Sequence, residues 1–191
     1  MELLKERIRA EGSVLPGNIL KVGSFLNQQM DIALYNEMGK EFARRFSGTK
    51  ISRIVTIEAS GIGLACITAQ YFNVPVVFAK KHRSANVSGD LLSATITSYT
   101  HQTEYTVILP KAYVRPGDSV LVIDDFLANG CALEGLVSMI VSGGASVAGA
   151  GIAIEKGFQG GGDRLRARGV RVESLAIVEA LEGPEGIVFR K

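Results

Sequence analysis

The chain has 191 residues, 47% of them hydrophobic and 21% charged, which is ordinary for a protein with a single full hydrophobic core. Its net charge of +2 argues against a general nucleic-acid surface, and no apolar run approaches the roughly 20 residues of a membrane helix. The amino-terminal segment mixes both charge signs, unlike a secretion signal, so we expect a cytoplasmic protein.

Segments with helical periodicity alternate with segments typical of strands. Helices are predicted from Asp31 to near Gly48, from Gly61 to about Asn73, from the loop after residue 130 to Gly143, and around residues 162–168. Strands are predicted at residues 51–57, 75–79, 120–123, 147–154 and 170–178. Residues 91–99 and 104–109 alternate as in an antiparallel hairpin. The order predicts one α/β domain with a mostly parallel central sheet and helices on both faces.

The two cysteines, Cys66 and Cys131, are too few for a disulfide framework or a zinc site. Cys66 follows apolar residues, and we expect it to be buried as a small hydrophobic side chain. Nucleophilic catalysis by Cys131 would need a partnering base, and the chain contains only His82 and His101. The cysteines therefore indicate no chemistry of their own.

The segment SVLVIDDFLANGCALEGLVSMI, which begins at Ser119, carries the most specific pattern. Apolar residues lead into Asp124 and Asp125, a loop of small residues follows at 128–130, and an apolar-periodic run predicts a helix. Free amide N–H groups at the start of that helix suit a phosphate, while the two carboxylates suit ribose hydroxyls and a Mg²⁺ ion. The alternative is an ordinary strand, acidic turn and helix with surface acids.

A second turn of small residues begins another predicted helix and consists of Glu58, Ala59, Ser60 and Gly61. We interpret it as a pyrophosphate loop, with a plain tight turn as the alternative. Gly61 and Gly63 imitate a dinucleotide fingerprint, but a cysteine occupies its third position and no acid follows about 20 residues later.

The basic run Lys80-Lys81-His82-Arg83 follows a third predicted strand. By itself such a run is typical of a solvated charge cluster. A lysine beside two anion-binding turns can instead stabilise the charge of a departing diphosphate, and we assign that role to Lys81. Because the carboxyl ends of parallel strands meet at one edge of a sheet, we expect all three segments to border one crevice.

A strand that ends in paired acids followed by x-x-x-[Thr/Ser/Asn]-Gly closely resembles the phosphoribosyl-diphosphate (PRPP) motif of the type I phosphoribosyltransferases. The resemblance implies that Asp124 and Asp125 hold the ribose hydroxyls. It places the donor's phosphate on Ala128, Asn129, Gly130, Cys131 and Ala132. The family typically has Gln-Ala after Asn-Gly, whereas this chain has Cys131-Ala132, a harmless change if backbone amides bind the phosphate. The resemblance also implies that the region from Ser84 to Ser98 is a mobile flap over the active site, and SATITSY from Ser93 has matching character. The alternative is a plain edge hairpin.

Nearly the whole chain resembles the bacterial xanthine phosphoribosyltransferases, on the segments ILKVGSFLNQQMD, VTIEASG, VPVVFAKKH, EKGFQGG and RVESLA. This implies transfer of a 5-phosphoribosyl group from PRPP to N9 of xanthine, giving XMP and diphosphate in purine salvage, with Mg²⁺ held mainly by the substrate. It also implies a homodimer in which Lys81 can reach the neighbouring site. Residues 1–191 would form one domain, with a hood over the site from about 1–30 and 155–191.

The same resemblance implies that Leu20 and Asn27 contact the purine and that Lys156 recognises it. The charge argument is independent, because an ammonium favours the carbonyl oxygens of an oxo-purine over the amino group of adenine. Phe158 is a stacking candidate, with a core role as the alternative.

Two other functions stay open. A hypoxanthine/guanine or adenine phosphoribosyltransferase would share the same core and differ only in its base. A purine-sensing transcription regulator would bind PRPP in this fold without turnover, but such regulators carry a DNA-binding domain before the fold. Here the predicted fold begins almost at once, and the charge of +2 offers no DNA face.

Overall fold

The computed structural model describes residues 1–81, 89–98, 103–181 and 186–191. His82, Arg83 and His101 lie outside the described residues, as do residues 84–88 and Tyr99 of the predicted flap. The α-helices are α1 (Glu2–Glu11), α2 (Ile32–Arg45), α3 (Gly61–Phe72), α4 (Cys131–Ser142) and α5 (Gly161–Ala167). The strands are β1 (Ser13–Leu15), β2 (Ile19–Lys21), β3 (Arg53–Ile57), β4 (Val76–Ala79), β5 (Leu91–Ser98), β6 (Thr103–Pro110), β7 (Ser119–Leu127), β8 (Ser146–Lys156), β9 (Val172–Leu181) and β10 (Ile187–Phe189).

The central sheet has six strands in the order β10-β9-β8-β7-β3-β4. All neighbours are parallel except β10, which runs antiparallel to β9 at one edge. Two antiparallel hairpins, β1-β2 and β5-β6, stand apart from this sheet. The predicted fold class is confirmed: the described strands form a mostly parallel sheet, and helices cover both of its faces.

Alternate residues of the central strands pack on opposite faces of the sheet, which explains their continuous apolar sequence. In β7, Leu121 and Ile123 join a cluster with α1, α2 and α3, whereas Val120 and Val122 join a cluster with α4 and α5. Burial of these large side chains on both faces is the main source of stability for such a sheet. It also holds the carboxyl ends of the strands in a fixed relative position.

The β5-β6 hairpin packs on α4. Its Leu92, Ile96, Val107 and Leu109 are buried in the same cluster as Leu133 and Leu136 of that helix. A Cβ atom on Gly135 of α4 would lie 3.1 Å from the Ile96 side chain, so the helix and the hairpin approach closely at this glycine. Ile108 of β6 also pairs with Lys80, directly after β4, so the hairpin reaches the carboxyl edge of the sheet.

Two expectations from the sequence are wrong. Cys66 is exposed, because Leu64 and Ala65 face the core and Cys66 lies on the other side of α3. Asp124 and Asp125 do not form a turn, because β7 continues alongside β8 as far as Leu127. Among the described residues, no helix is both long enough and apolar enough to cross a membrane.

Candidate active site at the carboxyl edge of the sheet

The acidic pair lies where β7 loses one of its two neighbours. The pairing of β3 with β7 stops at Val55 opposite Val122, while the pairing with β8 continues to Leu127. Beyond Val122, the side of β7 that faces β3 is therefore open, and Asp124 and Asp125 occupy this stretch. The chain continues from β3 to β4 on one side and from β7 to β8 on the other, and a crevice forms between two strands where the strand order reverses in this way.

Asp124 is held close to the start of α3. Its Oδ1 accepts a hydrogen bond of 3.0 Å from the N–H of Asp125. A Cβ atom on Gly61 would lie only 2.7 Å from this oxygen, so the first residue of α3 has to be glycine for the carboxylate to fit. The structure thus brings the predicted pyrophosphate loop and the acidic pair together.

Burial raises the pKa of Asp124 well above its ordinary value, and the nearby negative charge of Asp125 raises it further. Asp125 is only 6% exposed. Its charge also reaches Tyr35 of α2, whose pKa is raised to about 12 by burial in the first place and by Asp125 in the second. The two adjacent, poorly solvated carboxyl groups repel each other when both are ionised, so ribose hydroxyls or a positive charge beside them would stabilise the ionised pair.

The loop at 128–130 turns sharply into α4. Gly130 has a φ of +85°, a conformation that favours glycine, and its carbonyl accepts the N–H of Glu134 at 2.9 Å. The Oδ1 atom of Asn129 accepts the N–H of Cys131 at 3.1 Å, so this amide has a partner within the loop. The N–H groups of Ala132 and Leu133 belong to the first helical turn, where amides have no acceptor inside the helix.

Residues 58–61 connect β3 to α3 and lie next to the basic segment after β4. The peptide bond between Glu58 and Ala59 is cis. The N–H of Glu58 donates to the Ala79 carbonyl at 3.0 Å, and the Glu58 carboxylate accepts the N–H of Lys81 at 2.6 Å. These two hydrogen bonds hold the end of β4 against the loop at 58–61. The backbone of Lys81 therefore lies at the edge of the crevice.

Tyr105 of β6 is a site residue that the sequence analysis missed. The Nζ atom of Lys81 lies 5.6 Å from the centre of its ring, within the range of a cation–π contact. Burial raises the pKa of Tyr105, and the charge of Asp124 raises it further, so the phenol lies near the acidic pair. The sequence did contain a signal for Tyr105. Residues 105, 107 and 109 share one face of the strand, and Val107 and Leu109 on that face are buried.

Backbone hydrogen bonds of Lys80, the preceding residue, hold Lys81 near Tyr105. Lys80 and Ile108 exchange two hydrogen bonds, of 2.9 and 2.8 Å, which join the end of β4 to β6 of the hairpin. The positive charge of Lys81 lowers the pKa of Asp124, an effect smaller than that of burial. The structure thus places Lys81 beside both the hairpin and the acidic pair.

Among the residues assigned to the base, Lys156 lies on the opposite side of β7 from β3. Lys156 ends β8, with its Nζ atom 5.6 Å from the centre of the Phe126 ring, and burial lowers its pKa. Leu20 is buried in the same apolar cluster against which Phe126 packs, and Asn27 ends a short π-helical turn at Gly23–Asn27. Phe158 is 37% exposed, so a core role for it is wrong. The contact between Phe126 and Lys156 was not predicted from the sequence, because only the pairing of β7 with β8 brings the two side chains together.

The metal expectation can be compared with the donor atoms present. No group of three or more His, Cys, Asp or Glu side chains suited to a metal occurs within the part of the chain that the structure describes. Asp124 and Asp125 offer hard carboxylate oxygens, which Mg²⁺ prefers. The residues therefore fit a Mg²⁺ ion that takes most of its ligands from a phosphorylated substrate.

The fold and the site define an α/β protein in which two loops at helix starts and an acidic pair meet at one edge of the sheet. The model of the phosphoribosyl transferase domain matches residues 28–179, so the chain belongs to the phosphoribosyltransferase family. A xanthine phosphoribosyltransferase of Lachnoclostridium phytofermentans is 60% identical over 191 residues, covering 100% of this chain and 98% of the relative. One from Bifidobacterium longum is 56% identical over 192 residues, covering 100% of both.

Solved structures share the fold at much lower sequence identity. The adenine phosphoribosyltransferase of Rhodothermus marinus superposes with a TM-score of 0.75 at 21% identity, covering 93% of this chain and 100% of that one. Such a likeness establishes the fold and leaves the choice of base to the site.

Proposed function

We propose that this protein transfers the 5-phosphoribosyl group of PRPP to N9 of xanthine, forming XMP and diphosphate in purine salvage. The observation that carries the proposal is the convergence of Asp124 and Asp125 with the loops at 58–61 and 128–130. Membership of the phosphoribosyltransferase family supports the reaction class. The names of the relatives at 60% and 56% identity support xanthine as the base.

In this reaction the bond between the sugar's C1 and the diphosphate oxygen breaks, and its electron pair leaves with the diphosphate. A lone pair on N9 forms the new bond, and the purine loses a proton. The sugar carries positive charge between the two events, so the protein works by orientation and charge stabilisation. We assign stabilisation of that charge to Asp124 and Asp125, whose poorly solvated carboxylates gain most when a positive centre approaches.

The two loops would hold the two ends of the donor. The amides at the start of α4, within residues 128–132, suit the 5′-phosphate because the helix N-terminus carries partial positive charge. Glu58, Ala59, Ser60 and Gly61 would hold the diphosphate through backbone groups. Lys81, fastened beside this loop, would neutralise the charge that develops on the leaving group.

Mg²⁺ is part of the proposal as a companion of the donor. When bound, it would neutralise diphosphate charge and make the diphosphate a better leaving group. Residues 124 and 125 would supply its protein contacts, directly or through water, and the diphosphate and ribose would supply the rest.

Lys156 supports an oxo-purine. Its partial burial makes the ammonium poorly hydrated, so a carbonyl oxygen of xanthine satisfies it better than the amino group of adenine does. Leu20 and Asn27 would line the base from the hood, and exposed Phe158 is available to stack on it. Guanine and hypoxanthine share one of the two carbonyl groups, so they are the closest rivals.

The testing experiment measures initial rates with PRPP, Mg²⁺ and each of xanthine, guanine, hypoxanthine and adenine. We expect xanthine to give the highest kcat/KM. We expect Lys156→Met, of similar length and without charge, to raise the KM for xanthine about 10- to 100-fold, the range for a hydrogen bond to a charged group. Equal or better use of adenine by the wild type would contradict the assignment of Lys156.

We also propose a homodimer built on the β4 edge of the sheet. A groove of about 520 Å³ lies there between β4 and β6, and it is lined by Val76, Phe78, Pro110 and Tyr113. Phe78 and Tyr113 are 39% and 56% exposed, which is high for large apolar side chains. The groove also reaches Lys80, next to Lys81, so a partner at this edge would bring the basic segment close to a second site.

The proposal also includes a hood over the base and a cytoplasmic location for the protein. The N-terminus donates a hydrogen bond of 2.5 Å to the Leu175 carbonyl of β9, and Leu4 and Ile8 of α1 share a core with Val178 of that strand. This packing supports one domain over residues 1–191, in which segments 1–30 and 155–191 cover the base. We expect the protein to work in the cytoplasm.

A further inference from the structure

The carbonyl of Asn129, in the middle of the phosphate-binding loop, is bound by an arginine from another helix. The Nη2 atom of Arg164, on α5, donates a hydrogen bond to this oxygen. Its Nε faces the Glu134 carboxylate of α4 at 3.5 Å, so the guanidinium lies between the loop and the helix that follows it. None of the roles assigned above includes Arg164.

The start of α5 covers the same peptide group from its face. A Cβ atom on Gly161 would lie 2.5 Å from the carbonyl carbon of Asn129 and 2.6 Å from the nitrogen of Gly130. Only a glycine permits this approach. The peptide between residues 129 and 130 is therefore confined on its face by Gly161 and at its oxygen by Arg164.

The direction of that peptide decides what the loop presents to a phosphate. In a trans peptide, the C=O and the following N–H point in opposite directions within one plane. A guanidinium that holds the Asn129 oxygen consequently turns the Gly130 N–H towards the opposite side. It also keeps the negative end of the carbonyl dipole away from an anion, where it would repel the ligand.

We propose that Arg164 is a positioning residue of the phosphate loop, which holds the Asn129 carbonyl outward so that the loop amides face the 5′-phosphate of the donor. The inference rests on the proposed function, since it assumes that the loop at 128–132 binds that phosphate. Arg164 acts through the backbone of Asn129 and does not itself contact the phosphate. Its loss therefore weakens donor binding while the chemical step stays nearly intact.

The chain contains a matched control. Arg168 lies one turn further along, and its Nη1 donates to the same Glu134 oxygen at 3.2 Å, but the bonds of its guanidinium do not include Asn129. Both arginines are at least partly exposed, so neither substitution opens the core. Comparison of Arg164→Ala with Arg168→Ala separates the contact with the loop from the ion pair with Glu134.

The experiment measures KM and kcat for both substrates in the wild type and the two variants. For Arg164→Ala we expect the KM for PRPP to rise about tenfold, the change that a charge-assisted hydrogen bond gives. We expect its kcat to stay within threefold, its KM for xanthine within twofold, and Arg168→Ala to match the wild type throughout. Equal kinetics in the two variants would overturn the inference.

Two further measurements separate the possible failures. Titration with ribose 5-phosphate, which needs no turnover, should show weaker binding for Arg164→Ala alone. If the wild type binds ribose 5-phosphate but turns over no purine, the proposed function fails while the inference is still tested. If the KM difference for PRPP disappears at 0.5 M KCl, Arg164 acts as a distant charge, which salt screens, and the positioning role is wrong.

Discussion

At the scale of single residues, the site depends on how poorly its acids are solvated. Asp124 lies so close to the start of α3 that position 61 has no room for a side chain and must be glycine. Burial raises the pKa of Asp124. The folded state therefore favours the protonated acid, and ionisation of Asp124 reduces stability as the pH rises. If the pair stabilises positive charge on the sugar, as proposed, substitution should have opposite effects on stability and on activity.

We expect Asp124→Asn combined with Asp125→Asn to lower kcat/KM about 100-fold or more, because the stabilisation of the sugar's positive charge is lost. The melting temperature at pH 8 should be unchanged or higher, since two repelling buried charges are removed. Initial rates and a thermal melt test both expectations. Turnover near that of the wild type would refute the role of the pair, and a melt at a lower temperature would refute the account of its stability.

At the scale of elements, Tyr35 ties α2 to the turn that precedes it. Its ring is fully buried against the core, and its hydroxyl donates to the Leu26 carbonyl in the π-helical turn at Gly23–Asn27. This turn ends at Asn27, so the bond also fixes one of the segments assigned to the base. Burial raises the pKa of Tyr35, and the negative charge of Asp125 raises it further.

The stability that Tyr35 contributes depends on pH. Its folded pKa of about 12 exceeds the ordinary value of 10.0, so the neutral phenol is favoured by folding. The contribution is complete below pH 10 and is lost as the pH rises towards 12. We expect Tyr35→Phe to lose about 1 kcal/mol at pH 8, the usual worth of one hydrogen bond.

Between pH 8 and 11.5, the wild type should lose about 2 kcal/mol more than Tyr35→Phe does, at 1.36 kcal/mol per pKa unit. Urea unfolding at pH 8, 10 and 11.5 measures both differences. Parallel losses of stability in the two proteins at high pH would show that the phenol is not held in its neutral form.

A second connection between elements lies beneath α5. Arg166 binds the buried carboxylate of Glu155 through two hydrogen bonds, of 2.9 and 2.6 Å, and Ser174 donates to the same carboxylate. Glu155 directly precedes Lys156 at the end of β8. The ion pair therefore fixes both the helix that carries Arg164 and the strand end that carries Lys156.

At the scale of the whole molecule, the two edges of the sheet differ. At one edge, β10 pairs antiparallel with β9, and α1 packs on β9. The other edge, β4, borders a groove lined by large exposed apolar side chains. A contiguous patch of exposed apolar side chains marks an interaction surface more often than a single exposed apolar side chain does. The proposed dimer covers the β4 edge and leaves β10 free.

We expect Phe78→Glu to dissociate the proposed dimer, because it places a charge in an apolar contact. The control is Val188→Glu, which puts the same charge on an exposed position of β10 at the opposite edge. Light scattering after size-exclusion chromatography gives the mass of each variant. A monomeric wild type, or dimers in both variants, would contradict an interface at the β4 edge.

Local chemistry determined much of this protein by itself. The apolar strands around Val120 and Ile54 could be recognised because burial on both faces leaves a continuous apolar run, and the acidic pair because it follows such a run before a loop of small residues. From these patterns the mostly parallel sheet and the two loops follow, since parallel strands must end at a common edge.

Only the tertiary structure decided which side chains meet across that edge. Tyr105 approaches Lys81, Phe126 approaches Lys156, and Arg164 binds the Asn129 carbonyl because separate elements pack together, and no spacing along the chain records these distances. The exposure of Cys66 and the extension of β7 through its acids have the same origin. Burial and strand length depend on neighbours that fold in from elsewhere, whereas periodicity reports only the preference of each segment.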